Sequence, residues 1–126
     1  MRLIDRVMTA GLRVGVGARS TALLETTGRR SGRRRVTPVT NGIDRDRFWI
    51  VTEHGMRANY VRNLLVEPHV RVKAGGRWRR GEAHLVEDDP YARLERITER
   101  NPRARANANI VRRAGTDLRV IRIDLE

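Results

Sequence analysis

Apolar and β-branched residues recur along this chain in short runs, and the spacing within each run predicts its conformation. Residues 22–27 are apolar or β-branched apart from Glu25, and residues 36–40 resume that character after a basic turn. The pattern predicts two strands joined as a hairpin. Phe48, Trp49, Ile50, Val51 and Thr52 predict a third strand, dense enough in Val, Ile and aromatic residues to be covered on both faces. Residues 70–74 alternate and turn at Gly75-Gly76 into 77–86, a second tight hairpin. Residues 118–125 predict a terminal strand. Between these runs, 40–47 read as a polar turn and 53–57 as a loop.

Helical spacing appears in four places. Leu3, Val7 and Met8 mark a short amphipathic helix within residues 1–19, loosened by Gly11, Gly15 and Gly17. From Asn59 to Glu67, the residues Tyr60, Val61, Leu64 and Leu65 share one face, with Asn59 as N-cap and Pro68 as terminator. Asp88-Asp89-Pro90 opens a helix whose expected buried stripe is Tyr91, Leu94 and Ile97. Asn101-Pro102 interrupts it, and 103–113 resume as a polar helix packing through Ala104, Ala108 and Val111. The expected fold is mainly β with helices (α+β). It has about six strands in a small closed or partly split barrel, over a single domain spanning 20–126.

Composition narrows this further. The chain of 126 residues has one core's worth of material, only five aromatic residues (2 Trp, 2 Tyr, 1 Phe) and no cysteine. No apolar run approaches a bilayer span, and the N-terminus lacks a secretory pattern, so a cytoplasmic location is expected. A peripheral membrane contact through the N-terminal helix is left open. Net charge is +12, and arginine supplies all but one of the 27 Lys and Arg residues. That balance favours anionic partners. The arginines are scattered, however, and aromatics for stacking bases are few, so nucleic acid is the weaker reading.

The richest candidate chemistry lies in the first hairpin. Gly28 and Gly32 bracket Arg29, Arg30 and Ser31, and Arg33, Arg34 and Arg35 follow. A two-glycine turn carrying guanidiniums and a hydroxyl suits a phosphate or a carboxylate tail. Nucleophilic catalysis has no elbow motif, and no His or acidic set shows metal-ligand spacing. His69 and His84 fall in strands, whereas His54 sits beside Gly55 in a loop after a buried strand. A protein with an anion-binding hairpin and no evident acid–base machinery could borrow its chemistry from a redox cofactor and supply mainly the pocket.

The run from Leu23 to Gly32, continuing to Arg35, Pro38 and Val39, resembles the motif of the deazaflavin-dependent nitroreductase family. Asn63-Leu64, Glu67-Pro68 and Val70 match a second family pattern, and Leu118–Leu125 is similar to the closing strand. The resemblance implies an FMN-binding-like split barrel and coenzyme F420, an 8-hydroxy-5-deazaflavin with a phosphate and an oligoglutamate tail. It implies hydride transfer to a quinone, enone or nitro-type acceptor. Arg29, Arg30, Ser31 and Arg35 would hold the phosphate and tail. Pro38 and Val39 would lie along the ring, with Thr52, Glu53, His54 and Gly55 contacting the ring or its linker. Tyr60, His54 or water would deliver the proton. FMN is the alternative cofactor, a non-catalytic flavin- or deazaflavin-binding protein the alternative function, and a homodimer is compatible with the fold. The chain departs from the family where it carries Glu53-His54 and where 103–109 contain no tyrosine.

Overall fold

The computed structural model describes residues 19–126. The helix expected over residues 1–19 thus lies outside the described residues, apart from Arg19. Seven strands follow: β1 (Thr21–Thr27), β2 (Arg34–Thr40), β3 (Ile43–Asp44), β4 (Arg47–Val51), β5 (His69–Ala74), β6 (Arg77–Val86) and β7 (Val120–Leu125). The helices are α1 (Asn59–Val66), α2 (Pro90–Arg100) and α3 (Arg105–Ala114), with 3-10 turns at Gly55–Arg57 and Pro102–Ala104.

All strands join one antiparallel sheet in the order β2-β1-β5-β6-β7-β4-β3. The end strands β2 and β3 do not pair with each other, and the sheet curls into a half-barrel. This is the expected α+β split barrel with one additional strand. β3 is a two-residue strand inside the segment expected to be a polar turn. There Arg45 takes a left-handed φ of 57° and folds Ile43 back onto Phe48. Two residues are too few for an alternation to register.

Period-two burial then separates two cores. Ala22 and Leu24 of β1, Phe48 and Ile50 of β4, Val70 and Val72 of β5, and Ile121, Ile123 and Leu125 of β7 point inward. Val61 and Leu64 of α1 join them. Burying side chains such as Leu24, Phe48 and Leu64 contributes about 1.5–3 kcal/mol each. On the outer face, Val51 and Val120 meet Leu94, Ile97, Ala104, Ala108 and Val111 of the helical segment. β4 is therefore covered on both sides, as its composition indicates.

Three expectations change. Leu65 is 43% exposed, so Val61 and Leu64 carry the inward face of α1 without it. Tyr91 is 53% exposed, so Leu94 and Ile97 carry the buried stripe of α2 without it. Tyr91 stands in the first turn, where Asp89 accepts from the Tyr91 and Ala92 amides at 2.9 and 3.3 Å and sets the helix start. Asn59 is the first helical residue rather than the cap; Ala58 occupies the cap position with extended backbone and no side-chain bond.

Glu25, the polar exception in β1, is only 7% exposed. Arg71, its cross-strand partner, donates to both carboxylate oxygens at 2.8 Å, and its guanidinium lies 4.8 Å from the centre of the Trp78 ring. Removing one member of such a pair strands the other charge. Arg71→Met is expected to lower unfolding free energy by about 2–3 kcal/mol, less than a fully buried pair because Arg71 is partly exposed. Adding Glu25→Gln to that variant should recover part of the loss. Urea denaturation of the two variants checks both statements.

Candidate functional site

The basic loop between β1 and β2 is held from inside and from below. Gly28 N–H donates to the Arg33 carbonyl at 2.7 Å and Gly32 N–H to the Gly28 carbonyl at 2.8 Å. The Ser31 hydroxyl accepts from Arg33 N–H at 3.2 Å. Gly32 has a φ of 71°, a conformation that a side chain would strain. From below, Asn63 of α1, 4% exposed, accepts from both the backbone N–H and the guanidinium of Arg29 at 3.1 and 2.9 Å. Its amide nitrogen faces the Thr26 hydroxyl at 3.4 Å.

A cavity of about 460 Å³ opens over this loop, lined by Arg29, Arg30, Ser31 and Arg35 together with Thr26, Gly28, Val36, Thr37, Asn59, Tyr60 and Asn63. Three guanidiniums and no carboxylate line it. The four residues expected to hold an anionic tail are brought together here.

A second cavity of about 400 Å³ adjoins it, in the split between the β2 side and the β4 side of the curled sheet. Its walls are Thr21, Pro38, Val39, Thr40, Ile50, Val51, Glu53, His54, Ala58, Tyr60, Asn107, Ile110 and Val111. Tyr60 is the one residue common to both linings. Burial first, and the Glu53 carboxylate second, push its phenol well above the ordinary value, so it is held as a neutral hydrogen-bond donor. Pro38 stands in β2, an edge strand, where its missing N–H costs no ladder bond.

The loop after β4 is fixed by Thr52, which is fully buried and lines neither cavity. Its hydroxyl donates to the Asp117 carbonyl at 2.9 Å and accepts from the amides of Gly55 at 3.1 Å and Arg119 at 3.0 Å. That saturates a hydroxyl. Gly55 has a φ of 47°, and a Cβ there would run into the Asp117 carboxylate. Thr52 and Gly55 therefore shape the loop, while Glu53 and His54 face the cavity. The Glu53 carbonyl accepts from the amides of Thr116 and Asp117 at 2.7 and 3.0 Å. The His54 ring lies with Nδ1 2.9 Å from the Thr116 hydroxyl and Nε2 3.3 Å from the Glu53 carboxylate.

The wall formed by Asn107, Ile110 and Val111 of α3 comes from the segment where the chain departs from the family pattern; Val111 is the packing residue expected there, and Ile110 is a lining residue that the spacing does not indicate. Asn107 donates to the Ser20 carbonyl at 2.9 Å, which docks α3 across the start of β1. In the sequence the wall's signal is Ile110 beside Val111, an apolar residue off the Ala104, Ala108, Val111 stripe; in the structure Ile110 is 55% exposed. His69 and His84 lie away from the site, paired with Glu67 and Glu82 at 3.1 Å each. Among the described residues no group of three or more His, Asp or Glu could hold a metal ion, and no helix is long and apolar enough to cross a membrane.

Comparison with known proteins adds a family. The model of the F420H(2)-dependent quinone reductase family matches residues 3–124. A solved F420-H2 dependent reductase (FDR-A) is 21% identical, with 86% of this chain and 95% of that chain covered and a TM-score of 0.58. HutZ, a heme storage protein from Vibrio cholerae, is 20% identical over 100% of this chain and 92% of its own, with a TM-score of 0.59. A FAD-binding protein from Mesorhizobium loti is 15% identical over 98% and 85%, with a TM-score of 0.54. These likenesses show a shared fold. No curated protein matches the chain.

Two outcomes follow from the loop geometry. Asn63→Ala leaves the Arg29 amide without its acceptor; it should cost about 1–2 kcal/mol and speed tryptic cleavage after Arg29 and Arg30. Limited digestion followed by mass spectrometry reads this. Asp117, which braces the Gly55 loop, has its carboxyl held below the ordinary value chiefly by the Arg119 guanidinium. Its stabilisation is therefore complete at neutral pH and is lost as the pH falls below the ordinary carboxylate value and through the lowered one. Asp117→Asn should melt earlier than wild type at neutral pH and converge with it below about pH 3.

Proposed function

The chain belongs to the F420H(2)-dependent quinone reductase family, and on that footing we propose that it binds coenzyme F420 and reduces a quinone, enone or nitro-type acceptor. The observation that carries this is the pairing of two unlike cavities across Tyr60. One is lined by three arginines without a carboxylate, the other mainly by apolar side chains. A phosphate with an acidic tail fits the first, because bidentate guanidiniums match both groups. A flat deazaflavin ring fits the second, against Pro38 and Val39. The reduced coenzyme supplies the hydride when bound.

The chain's own residues then have separable tasks. Arg29, Arg30, Ser31 and Arg35 bind the tail, and Asn63 fixes the angle of the Arg29 clamp. Apolar walls from Val39, Ile50, Val51 and Val111 keep water from the reacting face. Tyr60, holding its proton, donates a hydrogen bond to the acceptor oxygen as negative charge develops there. His54, exposed and set between Glu53 and Thr116, passes the proton from solvent. FMN would leave part of the arginine set without a partner, because its tail ends at one phosphate.

A non-catalytic deazaflavin- or flavin-binding protein is the second reading, favoured by the lack of any aromatic residue on the α3 wall. A homodimer belongs to the proposal too, since one chain of similar fold was solved as a domain-swapped dimer. Light scattering on the purified protein measures this directly.

Titration with F420, followed by quenching of its fluorescence, tests the main reading. Saturable binding is expected at micromolar levels, with Arg30→Ala and Arg35→Ala each weakening it about tenfold or more. The same substitutions should leave binding of the tail-less deazaflavin chromophore unchanged. No saturable binding of F420 would overturn the proposal. Turnover of a quinone panel with the reduced coenzyme separates enzyme from carrier.

A further inference from the structure

Arginine is the commonest charge on this chain, yet none of the residues lining the apolar cavity is an arginine. The one carboxylate there is Glu53, and the adjoining cavity holds three arginines and no acid. Charge is thus segregated between two spaces that share a wall. Glu53 is held in position by its backbone, since its carbonyl accepts from two amides of the segment leading to β7. Its side chain is 35% exposed, with the His54 ring 3.3 Å away. Two guanidiniums of the adjoining segments are engaged elsewhere, Arg119 with Asp117 at 2.9 Å and Arg62 with the Met56 carbonyl at 2.7 Å, while the Arg57 charge acts on Asp117.

We propose that Glu53 makes the apolar cavity selective by charge, admitting neutral flat acceptors and disfavouring carboxylated or sulfonated ones. This rests on the proposed function, with the acceptor stacking on the deazaflavin ring in that cavity. The protein's net charge draws anions to its surface from a distance, and the basic cavity takes them. A carboxylate at the second cavity works in the opposite sense at short range. It turns away acidic acceptors and disfavours the coenzyme tail entering the wrong compartment. The field of Glu53 reaches the seam, because it contributes to keeping the Tyr60 phenol protonated. Thr21 and Thr40 offer neutral hydroxyls on the remaining polar wall, where the Asn107 amide nitrogen is already given to the Ser20 carbonyl; hydroxyl donors suit carbonyl oxygens rather than charged groups.

The test compares a neutral naphthoquinone with its sulfonated analogue by calorimetry, in low-salt buffer, on protein saturated with oxidised F420. Wild type is expected to bind the neutral compound about tenfold more tightly, the effect of one part-exposed charge at close range. Glu53→Gln should close that gap by raising affinity for the sulfonate relative to the neutral compound. Raising the salt should shrink the wild-type preference. Equal binding of both compounds to wild type, a preference unchanged in Glu53→Gln, or binding of neither compound would each overturn the proposal. The F420 titration is read separately, so failure of charge selection is distinguishable from failure of coenzyme binding.

Discussion

The carboxamide of Asn63 is the interaction on which the site depends. It projects from α1 into the space beneath the first hairpin and accepts twice from Arg29, once from backbone and once from side chain. A glycine-bracketed loop carrying five arginines between Gly28 and Arg35 would otherwise splay, since like charges repel and glycine gives the backbone little restraint. One neutral acceptor resolves the conflict without cancelling the charge. A carboxylate at that position would neutralise the clamp; an amide holds Arg29 and leaves the cavity electropositive. Because Tyr60 sits three residues earlier on the same helix, the bond that sets the loop also sets the wall between the two cavities.

The second constraint is the failure of the sheet to close. β2 and β3 end the sheet without meeting, and α1 fills the inside of the curl with Val61 and Leu64. The split that remains is lined from opposite ends of the sheet, by Pro38 and Val39 on one side and by Ile50 and Glu53 on the other. Thr52 turns that gap into a defined pocket. By saturating its hydroxyl with three backbone groups, it ties the loop after β4 to the approach to β7. The pocket is thereby built on strands and a knotted loop rather than on a mobile flap.

How legible this was from the residues depended on whether a feature is local. The basic hairpin and the two-sided coverage of β4 are set by neighbouring residues and appear in the structure where the pattern placed them, and of the expected α1 stripe Val61 and Leu64 point inward while Leu65 is exposed. The basic residues Arg29, Arg30 and Arg35 share one cavity with Ser31 because a hairpin needs only its own turn to bring them together. β3 leaves no trace in the pattern because two residues cannot show a period. Helical spacing puts Tyr91 on a buried stripe because spacing ignores where the neighbouring sheet ends. Thr52 and Gly55 read as contact residues, yet their place in the loop comes from Asp117, more than sixty residues away in sequence.

The same distinction separates the two cavities. The basic loop is a contiguous stretch whose glycines and arginines stand together in sequence. The apolar wall is assembled from β1, β2, β4, the Glu53 loop, α1 and α3, and each contributes one to three side chains. No spacing rule links Thr21 to Asn107 or Val39 to Ile110. Their proximity is created by the curl of the sheet and by one bond from Asn107 to Ser20. Substitutions in that wall alter its shape and charge without touching the basic loop, which is folded by its own glycines and by Asn63. The two cavities can therefore vary separately on one fold, and Glu53 is a change confined to the apolar one.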